Sequence, residues 1–236
     1  RPLSDLSRSF YQDACHGHAI VYADEISNRK TRPYITYPQG NFASPVFHGE
    51  RPDPMPHYEM TGNPVSIAFS EQSPPVKMRS FKLYQDTKEI KDIKILDKDN
   101  DPNRLLTERQ FALFPLQPLE YDTDYRAVFE YRQNGKNRTT EWTFSTQKPD
   151  YPYFIVKGGE TLAIESGQKY FIHWQDFWCL KQCERYNYRM NRDTQLDIIE
   201  RQAGGIIIRV NGSKGSSIRL MPEGEDRRAI TLYLWK

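Results

Sequence analysis

Apolar residues recur at every second position over much of the chain, the spacing of strands with one buried face. Val65, Ile67 and Phe69 alternate with less apolar partners, as do Phe81 and Leu83, and again Tyr125, Ala127, Phe129 and Tyr131. Asn134-Gly135 then offers a hairpin turn, with Trp142 and Phe144 on the return strand. Roughly six or seven short strands between turn residues predict a β-sandwich over 61–147.

Lys148-Pro149-Asp150-Tyr151-Pro152 marks a domain boundary, and 153–236 reads as a second, smaller β-rich domain. Its strands are expected at Phe154–Val156, Thr161–Ile164, Lys169–Trp174, Gly205–Val210, Ser217–Leu220 and Ala229–Leu234. Gly158-Gly159, Asn211-Gly212 and Glu223-Gly224 supply turns. Gln175 to Gln202 is ambiguous, with a short helix expected over Thr194–Gln202. Upstream, 1–33 reads as a short helix or irregular segment leading to a strand at Ala19–Tyr22. Residues 34–60 read as a Pro-rich extended connector, because each residue before a proline is pushed toward β or polyproline backbone. The expected class is all-β with little helix.

Composition agrees. Of 236 residues, 13% are aromatic, and Pro 16 outnumbers Gly 13, as pleated surfaces joined by many turns require. Lys+Arg 33 against Asp+Glu 31 leaves +2, with the charges scattered, which argues against a nucleic-acid partner. No apolar run is long enough for a membrane span. The opening Arg1-Pro2-Leu3-Ser4-Asp5-Leu6 has no apolar signal core, and a start at arginine is expected of a trimmed fragment.

Candidate chemistry is sparse. Asp97, Asp99, Asp101 and Glu108 stand at positions one, three, five and twelve of a loop, where calcium takes oxygen ligands. Pro102 occupies the sixth position, where an EF-hand needs glycine, so a non-EF calcium loop competes with an acidic hairpin turn. Cys15, His16 and His18 are zinc-type ligands without a second cluster, and His48, Glu50, Asp53 and His57 form a looser set in the connector. Trp174, Phe177, Trp178, Tyr186 and Tyr188 concentrate aromatic area; Trp174, Trp178 and Tyr186 would stack on sugars if exposed and form core if buried. No Gly-x-Ser-x-Gly, His-Glu-x-x-His or phosphate loop is present. Ser166 and Lys169 fit Ser-x-x-Lys without its companion motifs, and His173 with Cys179 is a weak thiol pair. Asn137 and Asn211 fit glycosylation acceptors.

Phe69-Ser70-Glu71, then Pro115-Leu116-Gln117-Pro118-Leu119 running to Tyr125, then Trp142-Thr143-Phe144-Ser145-Thr146 resembles the succession in bacterial Ig-like domains of surface proteins. Tyr37-Pro38, Phe47-His48-Gly49-Glu50 and Pro52-Asp53-Pro54-Met55-Pro56 resemble the segment that follows the CAP (cysteine-rich secretory, allergen-like) domain in bacterial exported proteins. The resemblance implies an Ig-like sandwich over 61–147, a periplasmic, cell-surface or secreted location, and 1–33 as the end of a missing upstream domain or a linker. In such an oxidising compartment Cys179 and Cys183 would form a disulfide, given a turn between them; in the cytosol they would be free thiols. The expected function is a non-catalytic binding, adhesion or spacer module, with cell-wall glycan or an envelope protein as partner. An envelope hydrolase acting on glycan or peptide, or a calcium-stabilised module, is the alternative.

Overall fold

A computed structural model describes residues 33–175, 177–178, 185–190 and 193–236. It divides into two compact units, on either side of the Lys148–Pro149 bond. Both are all-β sandwiches, and the described residues include only a single 3-10 turn at Asp226–Arg228.

In the first unit, β1 (Tyr34–Tyr37), β5 (Val65–Phe69), β9 (Gln110–Pro115) and β8 (Ile93–Leu96) form one sheet in that order. The facing sheet runs β2 (Gly40–Ala43), β11 (Lys136–Thr146), β10 (Asp124–Gln133), β6 (Val76–Gln85) and β7 (Lys88–Ile90). β1 pairs antiparallel with β5 while β2 pairs parallel with β11, so the first strand crosses from one sheet to the other. That split first strand, with the two sheet orders, is immunoglobulin-like. Period-2 alternation sends Phe129 and Ala127 inward opposite Phe81 and Leu83. Phe81 and Phe129 meet edge to face at 5.1 Å, the arrangement ring quadrupoles favour.

The Pro-rich stretch is not a free connector. Its start supplies β1 and β2, and its middle pairs β3 (Val46–Phe47) with β4 (Thr61–Gly62). Phe47 and Met55 are buried with Leu96, Leu106, Ala112 and Phe114 in a second apolar cluster. The cause lies in β9, whose Phe111-Ala112-Leu113-Phe114 is apolar without alternation. Phe111 and Leu113 enter the inter-sheet core, leaving Ala112 and Phe114 on the other face to be covered.

In the second unit, β12 (Tyr153–Val156), β14 (Lys169–Trp174), β17 (Gly205–Gly212) and β16 (Thr194–Gln202) form one sheet. β13 (Thr161–Ile164), β19 (Ile230–Leu234), β18 (Ser217–Pro222) and β15 (Tyr186–Met190) form the other. The sequence order of strands within each sheet repeats that of the first unit, again with the second strand parallel to the last, β13 on β19. Two differences stand out. β12 runs parallel to β14 where β1 runs antiparallel to β5, and no described strand takes the place of β7. The core gathers Ile164, Ile172, Trp174, Ile206, Ile208, Ile218, Leu220 and Leu232 between the sheets.

Thr194–Gln202, expected as a short helix, is strand β16. Leu196 and Ile198 point to the core at period two, and β-branched isoleucines pack well on a pleat. A bulge between Ile198 and Glu200 breaks the alternation and leaves Ile199 exposed, which obscures the strand in the sequence.

Candidate functional site

The aspartate loop is held by its own backbone. The Asp101 carboxylate, buried with 5% exposure, accepts the N–H groups of Asn103, Leu105 and Leu106 at 3.0, 2.6 and 2.9 Å. Asp97 accepts from Asp99 at 3.0 Å, and Glu108 pairs with Arg109 at 2.7 Å. Asn103 reaches across to donate to the Asp53 carbonyl at 2.8 Å, tying this turn to the segment that covers β9. Among the described residues no three His, Cys, Asp or Glu side chains gather as a metal centre requires. Asp97 and Asp101 serve the turns as acceptors for N–H groups that the chain reversal leaves without a backbone partner. Asp53 does the same for Met55, and His48 and His57 lie exposed. Cys15, His16, His18, Cys179 and Cys183 lie outside the described residues.

The aromatic set divides. Trp174 has no exposed surface and donates its indole N–H to the Arg228 carbonyl at 2.8 Å, so it is core and cannot stack on a ligand. Tyr186 packs on it at 5.7 Å between ring centroids and is itself buried. Burial pushes its hydroxyl up to about 12, although the Arg201 guanidinium works the other way. Trp178 is half-buried against His173, 4.9 Å between rings. Ser166 accepts the Gly212 N–H at 3.1 Å while Lys169 lies over the Tyr151 ring, so neither activates the other. His173 is fully buried, with Nδ1 2.7 Å from the Gly204 carbonyl.

What the tertiary structure does assemble, among the described residues, is an open lateral edge in the second sandwich. β15 and β16 end their respective sheets on the same side, and between them lies a cleft of about 430 Å³. Tyr186, Tyr188, Leu196 and Ile198 line it, and Arg185, Arg201 and Glu223 rim it. Tyr188 and Met190 sit opposite Leu220 and Ile218 in the ladder and so share their core-side face. Yet both are 45% exposed while Leu220 and Ile218 are fully buried.

Among the described residues the outer backbone edge of β15 is unpaired as well. Glu223 N–H donates to the Arg185 carbonyl at 3.1 Å, which sets the phase of the antiparallel ladder with β18. Alternation then turns the N–H and C=O groups of Tyr186, Tyr188 and Met190 away from β18, toward the outer edge. On the first unit's corresponding strand, β6, that position is filled by β7 through the Leu83–Ile90 and Gln85–Lys88 pairs. Sequence reading names Tyr186 and Tyr188 among the candidate aromatics but misses their strand, because Tyr186–Met190 is short; its Tyr-Asn-Tyr-Arg-Met alternation was the available signal.

No family model matches the chain, and no curated protein is similar to it. Among solved structures it is similar to the titin fragment A168169, at 10% identity over 84% of this chain and 95% of that one, TM-score 0.24. A titin I67–I69 fragment matches at 10% identity over 86% and 66%, TM-score 0.25. Domains 4 and 5 of the S-layer protein SbsC match at 13% identity over 68% and 100%, TM-score 0.23. At these scores the immunoglobulin-like assignment stands on the strand order and ladders of each unit, and the chain is a succession of two such sandwiches.

Proposed function

We propose that this chain is a non-catalytic binding and spacer module of an exported bacterial envelope protein, following a CAP domain in the longer chain. The observation that supports it best is the repetition of one sandwich plan in two successive units, each closed by its own core. Such units in series set distance and present surfaces; their chemistry lies in faces and edges. The outer face of the first unit's larger sheet is matched internally. Lys82 pairs with Glu89 and Arg126 with Glu141, and Arg126 also lies 4.5 Å over the Tyr84 ring. In the proposed oxidising location Cys179 and Cys183 form a disulfide, which intact mass with and without reductant reads directly.

The test is a pull-down against purified sacculi and insoluble polysaccharides, with calcium and with chelator. Saturable retention without release of soluble fragments supports the binding role, and retention of none supports spacing alone. Release of soluble sugars or peptides overturns the non-catalytic reading.

A further inference from the structure

The open edge of the second sandwich is built for a particular kind of partner. We propose that β15 accepts an extended peptide strand from a partner protein, with apolar and acidic side chains alternating along it. The inference takes its setting from the binding role above and names the partner of that role.

Main-chain pairing is the first element. Tyr186, Tyr188 and Met190 turn their N–H and C=O groups outward, a ladder with one side vacant among the described residues. Addition of a strand to such an edge supplies affinity from the backbone and specificity from alternate side chains.

Side-chain chemistry follows from register. Residues of an added strand opposite Tyr188 and Met190 face the cleft, over Leu196 and Ile198, and so are apolar. Their neighbours, opposite Arg189, face the outer side of the sheet. There Arg189 stands directly across from Arg219, a like-charged cross-strand pair that is unfavourable by itself. Neither has an ion-pair partner among the described residues, whereas Arg209 and Arg228 of the same unit pair with Asp197 and Glu225. A carboxylate on the added strand, directly opposite Arg189 on the side away from Arg219, offsets the repulsion by pairing with Arg189. Arg185 adds positive charge at the cleft rim, beside Glu223. A second copy of the chain is the poorer occupant, because pairing β15 with β15 brings the arginines of both copies together.

The experiment titrates the whole chain with a short blocked peptide of alternating valine and glutamate and with its valine–lysine counterpart, and follows amide hydrogen exchange. We expect saturable binding of the acidic peptide, protection of the Tyr188 and Met190 amides, and at least about tenfold weaker binding of the basic one. Tyr188→Pro removes the outward N–H without touching the β18 ladder, which an edge strand tolerates. It should abolish binding while the melting temperature holds. Arg189→Glu with Arg219→Glu should reverse the peptide preference. Absence of binding, protection elsewhere, equal affinity for both peptides, or unchanged binding by Tyr188→Pro each overturns the inference. So does protection of these amides that rises with protein concentration alone, which would make a second copy the occupant. Retention on sacculi without β15 protection would leave the binding role standing and remove this one.

Discussion

The Tyr125 hydroxyl accepts the backbone N–H of Glu120 at 2.9 Å, five residues upstream, and in the second unit Tyr170 does the same for Glu165 at 2.9 Å. The first is the tyrosine corner of an immunoglobulin-like sandwich, closing the turn that leads into β10. The second closes the turn into β14, a different strand, so the device is reused without the position being shared. Tyr125 also stacks on Phe144 at 5.5 Å. Tyr125→Phe keeps the ring and leaves the Glu120 N–H unsatisfied, at a cost of about 1–3 kcal/mol to the first unit. Tyr170→Phe should cost a similar amount in the second. Denaturant unfolding followed by fluorescence checks both.

Asp101 secures three N–H groups with one carboxylate. Asp101→Ala should destabilise the first unit by about 3 kcal/mol, since hydrogen bonds to a charged acceptor are the strong ones and the freed donors are partly buried. Chelator should leave the melting temperature of the wild-type chain unchanged. A drop on chelation would return the aspartates to a calcium role.

Gly205 lies where β17 passes β14, and a Cβ there would stand 2.0 Å from the Ile172 carbonyl oxygen. The obstacle is backbone in the centre of a sheet, which cannot yield as a side chain can. Gly205→Ala should cost several kcal/mol, on the order of 3 or more, and melt the second unit first. Gly224→Ala, with open space but φ +80, should cost only about 1–2 kcal/mol. Thermal unfolding of the two variants separates steric from conformational cost.

Tyr121 and Tyr186 are both pushed from 10.0 up to about 12, chiefly by burial of the hydroxyl. Their folded values exceed the unfolded one, so the stability they contribute is complete below pH about 10 and falls as pH rises toward 12. Phenolate absorbance should show late-titrating tyrosines, and Tyr186→Phe should remove one and reduce the alkaline loss of stability. Arg201→Ala should delay Tyr186 further, because the guanidinium favours the phenolate.

Much of the sandwich is legible in the chain because burial on one face imposes alternation. Tyr125, Ala127, Phe129 and Tyr131 announce β10, and its partners Phe81 and Leu83 announce β6. Reading fails where that rule is suspended. β9 is buried on both faces and shows no period, so the need for a cover, met by Phe47 and Met55, is invisible locally. β16 carries a bulge that shifts its period at Ile199. Trp174 and Tyr188 look alike in sequence, as aromatics near the cysteine pair, yet one is the centre of a core and the other stands at its open end.

The all-β class, the turns, and the alternation that sets which side chains face inward along most strands can all be read in the order of the residues. These are local consequences of chain geometry and need no distant partner. The second unit's repeat of the first one's sheet order, the packing of the proline-rich stretch over β9, and the ending of β15 and β16 on the same side emerge from the assembled strands. Sheet order and edge position depend on which distant strands pair, and pairing energy is spread over backbone groups that every residue except proline carries alike. For that reason the cleft and its arginines emerge only once the strands are in place.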